Sequence, residues 1–105
     1  MMLLTKKNRK DLPALYAQSE LDGDAIVYVK FFDPQGGWTA YATEFDGENE
    51  FFGLIDPGND YPSLGYFSLA EMSEYRGRLG LGIERDMHFS PRKLNELSAW
   101  GKQLG

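Results

Sequence analysis

Residues 38–56 read WTAYATEFDGENEFFGLID, and this stretch decides the fold. Its two halves, residues 38–45 and 50–56, are rich in the aromatic and β-branched side chains that favour strands. Between them lies an Asp46-Gly47 dipeptide, which is typical of a tight turn between antiparallel strands. The stretch therefore predicts a β-hairpin at the centre of the domain.

The register of this hairpin has two solutions. A two-residue turn at the Asp-Gly dipeptide pairs Tyr41 with Phe52, whereas a four-residue loop pairs Tyr41 with Leu54. Because Asp-Gly fits a type I′ turn, the first register is the stronger prediction.

Further elements are predicted on both sides of the hairpin. Strand patterns cover residues 25–32, 63–67 and 83–89, and Thr5, Ser68 and Ser90 can cap helices that follow them. Ser68 and Glu71 have the spacing of a capping box. The prediction is one α+β domain over residues 1–105. It is an antiparallel sheet of about four or five strands, with short helices at the N-terminus, after the fourth strand and at the C-terminus.

Composition excludes several classes of protein. The 105 residues include no cysteine, so disulfides, thiolate metal sites and cysteine nucleophiles are excluded. No apolar run approaches the roughly 20 residues that cross a bilayer. The N-terminal apolar residues precede the basic ones, which is the reverse of a secretion signal. We therefore expect a cytoplasmic protein without membrane contact, and no motif indicates a cofactor.

Charge is distributed unevenly along the chain. The net charge is −5, but residues 1–10 carry four bases and no acid, whereas residues 11–60 carry eleven acids and one base. A negative field repels nucleic acid, so direct binding to DNA or RNA is disfavoured. The same field favours a basic protein surface as the partner.

Several runs together resemble a known family. They are IVYVKFF followed by Trp38, then TEFDGE, FFGL, LGYFSL and GLGIERDMHF. These runs are similar to the small bacterial proteins grouped as domain of unknown function 2958, and the resemblance covers nearly the whole chain. It implies occurrence on plasmids and other mobile DNA. It implies no biochemical activity, so no catalytic residue follows from it.

A metal site is one hypothesis for chemistry. If residues 83–89 form a strand, Glu84, Asp86 and His88 lie on one face, roughly 7 Å apart along the strand. Glu44 or Asp46 on a neighbouring strand end would complete a carboxylate–histidine site for a divalent ion. An ordinary solvent-facing strand explains the same alternation and is the favoured interpretation.

An aromatic surface is the second hypothesis. Strand doublets such as Phe31-Phe32 and Phe51-Phe52 direct one ring to each face, so a sheet covered on one side exposes the outer rings. Exposed apolar patches commonly mark protein contacts. The candidate binding residues are Tyr28, Phe32, Trp38, Tyr41, Glu44, Asp46 and Phe52.

Three functions follow from these features. The favoured one is a non-enzymatic protein of a mobile element that binds a basic protein surface. In a more specific version of this hypothesis, the partner is a host nucleic-acid enzyme. That version is an antirestriction or anti-CRISPR inhibitor, or a partial DNA mimic. The alternative is a small metal-dependent hydrolase or nuclease that uses Glu84, Asp86 and His88. A homodimer that buries the aromatic face is the third.

Overall fold

The structure, a computed structural model, describes residues 2–59 and 61–102. The regular elements in chain order are α1 (Lys6–Asp11), β1 (Ile26–Val27), β2 (Val29–Phe32), β3 (Thr39–Phe45), β4 (Glu50–Asp56), β5 (Ser63–Ser68), α2 (Leu69–Glu74), β6 (Glu84–Arg85), β7 (Arg92–Lys93) and α3 (Ser98–Lys102). Short 3₁₀ helices lie at Asp22–Asp24 and Leu94–Glu96. The last residues of the predicted C-terminal helix, 103–105, fall outside the described part.

Five strands form one antiparallel sheet in the order β5-β4-β3-β2-β6. A separate two-stranded sheet joins β1 to β7, also antiparallel. Short helices lie at the N-terminus, in the middle of the chain and at the C-terminus. The predicted α+β class, with an antiparallel sheet of about five strands, is confirmed.

The hairpin register favoured by the Asp-Gly turn is wrong. Tyr41 pairs with Leu54, and a β-bulge between Ala42 and Glu44 changes the register along β3. The Asp46 carboxylate accepts backbone N–H bonds from the three residues 48–50, at 2.8–3.0 Å. This carboxylate therefore organises a wider turn than the two-residue type I′ turn.

The first core lies on the face of the sheet that carries α1 and α2. Its centre is four phenylalanines, in which Phe51 stacks on both Phe45 and Phe67, with ring centroids 4.4 and 5.1 Å apart. Phe31 meets the edge of Phe51 at 5.4 Å. The N-terminal leucines and Met72 of α2 complete this cluster. We call this side of the sheet the phenylalanine face.

Small residues beneath these rings allow them to meet. On the sheet, a cross-strand row of Val29, Ala42, Gly53 and Gly65 lies between the position of Phe31 and those of the other three phenylalanines. The rings reach across this row and meet above it. A Cβ at Gly53 would lie 1.9 Å from the Tyr41 carbonyl oxygen, so only glycine fits there.

The opposite face is partly covered by the C-terminal segment. A second core there contains Leu54 of β4, Val27 of β1 and Leu94, with Tyr41 and Trp100 at its border. We call this side the tyrosine face. The predicted single strand over residues 25–32 is divided, because β1 leaves the main sheet to pair with β7.

Two predictions in the last quarter of the chain are wrong. The strand expected over residues 83–89 is limited to β6, and the chain then turns. The helix expected from Ser90 is replaced in its first half by β7 and a 3₁₀ turn, with α3 following. In both places tertiary pairing, of β6 with β2 and of β7 with β1, outweighs the local pattern.

The other two helix starts are confirmed. Thr5 caps α1 by accepting the Asn8 N–H at 3.0 Å, and the Asn8 side chain accepts the Thr5 N–H in return. Ser68 caps α2 by accepting the Glu71 N–H at 3.1 Å. Each cap satisfies one orphan backbone donor at the start of a short helix. No helix within residues 2–59 and 61–102 is long and apolar enough to cross a membrane.

Candidate functional site

A groove of about 280 Å³ opens on the phenylalanine face, where α2 leaves the sheet. We call it the Trp38 groove. Its lining is mostly apolar or aromatic, with two carboxylates and no basic residue. The lining residues are Asp33, Trp38, Phe67, Ser68, Glu71, Met72, Tyr75 and Ile83.

Four elements place these side chains together. Asp33 directly follows β2, and its N–H donates to the Trp38 carbonyl at 3.0 Å, which closes the loop between β2 and β3. Phe67 lies near the end of β5, and its ring and the Trp38 indole meet edge to face with centroids 6.5 Å apart. Glu71 lies on α2 and Tyr75 directly follows this helix, one turn further along, so both border the groove.

Asp33 is the buried acid of the groove. Its side chain is 8 % exposed, one oxygen (Oδ1) accepts the Gln35 N–H at 3.0 Å, and the other (Oδ2) accepts the Tyr75 hydroxyl at 2.9 Å. The hydrogen bond to Asp33 is the main reason that the pKa of Tyr75 is raised above its usual 10.0. Tyr75 therefore stays a neutral hydrogen-bond donor at neutral pH.

The chemistry of the Trp38 groove suits a cation with an apolar stem. Indole and phenol faces attract ammonium and guanidinium groups, and the apolar walls can cover methylene carbons. Asp33 inside the groove and Glu71 at its exposed rim supply negative charge. Because the lining includes no lysine or arginine, no side chain of the groove neutralises these two acids.

The predicted binding residues are spread over both faces of the sheet. Trp38 packs against the first core, whereas Tyr41 borders the second core and Phe52 meets Tyr66 at 5.1 Å on the tyrosine face. Phe32 is paired with Glu84 at the β6 end. The structure therefore separates Trp38 from the other rings.

The remaining predicted aromatic residue, Tyr28, lies between β1 and β2 and packs against the first core. It lines a smaller cavity of about 230 Å³, together with Asn8 of α1 and Phe89. Tyr28 is half-buried and shares no groove with Trp38.

Glu44 is buried and holds the loop that precedes β1. It is 3 % exposed, and its two carboxylate oxygens accept the N–H groups of Tyr16 and Gln18, each at 2.8 Å. The side-chain amide of Gln18 in turn donates a hydrogen bond of 2.7 Å to the Thr43 carbonyl. The β-bulge leaves Thr43 without a paired residue on β4. Glu44 thus has a structural function in the folded chain.

Asp46 is exposed, and its carboxylate is occupied by the turn. The three backbone N–H donors from residues 48–50 lower the pKa of Asp46 below its usual 3.8. This carboxylate remains ionised in mildly acidic solution and adds to the negative surface at this end of the sheet.

Glu84, Asp86 and His88 are not assembled into a metal site. The chain turns after Arg85, the Asp86 Oδ1 accepts the His88 N–H at 2.9 Å, and Asp86 Oδ2 lies 3.6 Å from the Lys30 ammonium. Among the described residues, no group of three or more histidine, aspartate or glutamate side chains could hold a metal ion. The predicted metal site required a strand that continues to His88, but β6 contains only Glu84 and Arg85.

Of the eight residues that line the Trp38 groove, only Trp38 was among the predicted binding residues. The ionisable members that were missed are Asp33, Glu71 and Tyr75. Of these three residues, the sequence pattern singled out only Glu71, through its capping-box spacing with Ser68. Two sequence features could have pointed to these residues: Asp33 directly follows a predicted strand, and Tyr75 lies at the end of a short predicted helix. Neither feature predicts that Asp33 and Tyr75, which are 42 positions apart, form a hydrogen bond.

Comparison with known proteins places the chain in a class of proteins without assigned function. The family model described as "Protein of unknown function (DUF2958)" matches residues 3–104, which is nearly the whole chain. The protein belongs to this family, so the resemblance found in the sequence is confirmed. No curated protein and no solved structure matches the chain.

Proposed function

We propose that this protein binds a protein partner without catalysis, and that the Trp38 groove receives a basic side chain of that partner. The observation that carries the proposal is a groove with aromatic walls that holds two acids and no base. The acidic stretch over residues 11–60 supplies a wider field of the same sign. Such a field speeds the approach of a basic surface and weakens as salt rises.

Arginine suits this groove better than lysine. A guanidinium is planar, stacks on an aromatic face and offers several donors to a carboxylate. Trp38 supplies an aromatic face, and Asp33 retains acceptor capacity beyond the hydrogen bond from Tyr75. The guanidinium is also less strongly hydrated than an ammonium, so it loses less on entering a half-buried groove.

A more specific proposal names the class of partner. If the basic partner is a host nucleic-acid enzyme, the protein is an antirestriction or anti-CRISPR inhibitor that partly imitates the charge of DNA. The surplus of acids over residues 11–60 supports this version. Duplex DNA should then compete with the protein for its partner. A partner captured equally well with and without excess DNA contradicts this version alone.

A titration with short peptides tests the groove. The probes are an arginine-rich peptide, its lysine counterpart and a glutamate counterpart, and the readout is Trp38 fluorescence in a Trp100→Phe background. We expect saturable binding in the order arginine, lysine, glutamate, with weaker binding at high salt. Equal responses to all three peptides would contradict the proposal.

Two substitutions on α2 provide a matched comparison. Glu71→Gln and Glu74→Gln remove the same charge from exposed positions of one helix, but only Glu71 lines the groove. We expect Glu71→Gln to weaken the arginine peptide about three- to tenfold, which is the size of one partly exposed charge contact. Equal losses in the two variants would show that overall charge, and not the groove, attracts the peptide.

A further inference from the structure

Strand β5 forms one outer edge of the main sheet, and no other strand of the described residues pairs with its free side. Its six residues, Ser63–Ser68, include no charged residue and no proline. It pairs with β4 in one continuous register without a bulge. Proteins usually protect such edges with lysine, proline or a bulge, because a regular free edge pairs readily with another strand.

The hydrogen-bond pattern shows which backbone groups are free. The Leu69 N–H donates to the Asn49 carbonyl at 2.8 Å, so these two residues form a hydrogen-bonded pair just beyond β5. Hydrogen-bonded and non-bonded pairs alternate along antiparallel strands. The alternation turns the N–H and C=O groups of Leu64 and Tyr66 away from β4, towards the free edge.

Exposed apolar side chains border the same edge. Leu64 and Tyr66 are 39 % and 47 % exposed on the tyrosine face. The Tyr66 ring packs against Phe52, and its hydroxyl lies 3.3 Å from that of Tyr16. Tyr16 has a φ of 73°, a left-handed conformation that costs energy in a residue with a side chain. The N–H of Tyr16 donates to Glu44 Oε1 at 2.8 Å, which anchors the backbone of this residue above the sheet.

We propose that β5 pairs antiparallel with β5 of a second copy, across a two-fold axis at Gly65, so that two five-stranded sheets become one of ten strands. In this register Leu64 lies opposite Tyr66 of the second copy, and the reverse pair is identical. The outward backbone groups of these two residues then form four hydrogen bonds between the copies. Each leucine packs beside a tyrosine on the tyrosine face.

A second copy fits this edge better than a basic partner. The chain carries a net charge of −5, so two copies repel each other, and a contact surface without charge adds least to this repulsion. β5 has no charge, and an acid within β5, which would attract a basic strand, is absent. The free edge is also self-complementary. A two-fold rotation about Gly65 brings each outward N–H of Leu64 and Tyr66 opposite an outward C=O of the second copy.

Paired charge substitutions test the register. In Leu64→Lys/Tyr66→Lys, two lysines oppose each other on both sides of the axis, whereas Leu64→Lys/Tyr66→Glu places a lysine opposite a glutamate on both sides. We expect the wild type to dimerise as concentration rises in sedimentation equilibrium. The double-lysine variant should dimerise about tenfold more weakly or worse, and the lysine–glutamate variant should recover most of this loss.

Three results would overturn the inference. They are a wild-type protein that stays monomeric at the highest soluble concentration, a double-lysine variant that dimerises like the wild type, and a lysine–glutamate variant that does not recover. Circular dichroism and thermal melting verify that each variant is folded. If the double-lysine variant does not fold, the single variants Leu64→Lys and Leu64→Glu replace it. Each places a charge opposite an unchanged Tyr66, so we expect each to dimerise weakly. A mixture of the two should dimerise as weakly, because in this register residue 64 of one copy does not lie opposite residue 64 of the other. A mixture that dimerises like the wild type contradicts the Leu64–Tyr66 register.

Discussion

The hydroxyl of Tyr75 donates a hydrogen bond of 2.9 Å to Oδ2 of Asp33, and this contact joins the end of α2 to the loop after β2. It determines the position of one aromatic wall of the Trp38 groove relative to its buried acid. Because Asp33 also anchors its own loop through the Gln35 N–H, the contact connects two segments that the sheet alone does not hold together.

Tyr75→Phe tests this contact through pH. The pKa of Tyr75 is raised by its hydrogen bond to Asp33, so the folded chain holds the phenolic proton more tightly than the unfolded chain. The resulting stabilisation is complete below pH 10 and is lost as pH rises through the folded pKa. We expect Tyr75→Phe to unfold at lower urea concentration than the wild type at pH 8, with a smaller difference above pH 10. A difference that does not change with pH would contradict this assignment.

Glu44→Gln should destabilise the fold. Glutamine supplies one acceptor where Tyr16 and Gln18 present two donors, and its NH₂ group faces one of those donors. We expect a loss of about 2–4 kcal/mol, since a buried backbone N–H is left without an acceptor. Urea denaturation measures it, and Glu48→Gln, an exposed change of the same charge, is the control. Similar losses in both variants would show that charge alone is responsible.

Gly53→Ala should be among the most disruptive small substitutions. A Cβ there lies 1.9 Å from the Tyr41 carbonyl oxygen, a backbone atom that cannot move without breaking the β3–β4 ladder. We expect a loss of about 3 kcal/mol or more in the free energy of unfolding. Gly65→Ala is the matched control in the next strand, because its Cβ meets only the Ile55 side chain at 3.6 Å. Equal effects would mean that glycine flexibility, and not this contact, sets the cost.

Asp46→Asn should change the acid sensitivity of the β3–β4 turn. Three backbone N–H groups lower the pKa of Asp46, so its stabilisation is present above its usual pKa of 3.8 and is lost as pH falls through the folded value. Asparagine keeps an acceptor oxygen but has no charge to lose. The variant should therefore melt below the wild type at pH 7, and the two melting temperatures should converge under acidic conditions. Parallel melting curves over the whole pH range would contradict this.

The sequence predicted the main sheet well because its strands carry their own patterns. Residues 50–56 and 63–67 became β4 and β5 with nearly unchanged bounds, and Thr5 and Ser68 cap helices as expected. These features depend on neighbours within a few residues. Local physics is therefore enough to place them.

Features that depend on distant partners escaped the sequence. β7 has an ordinary helix-start sequence, but its pairing with β1, which lies 65 positions earlier at the Val27–Arg92 pair, determines its extended conformation. The Trp38 groove depends in the same way on the long-range Asp33–Tyr75 contact.

The β-bulge at Thr43 acts like a frame shift within β3. Ala40 and Ala42 face the phenylalanines, and Phe45 joins them although simple alternation would send it to the other side. A regular ladder that kept Thr43 in register would pair Thr43 with Phe52 and Glu44 with Phe51, and it would exchange the destinations of Glu44 and Phe45. The Glu44 carboxylate would enter the phenylalanine core, and Phe45 would enter the site that now binds two backbone amides. One residue out of register with its partner strand thus keeps an acid and an aromatic ring each in the surroundings that suit it.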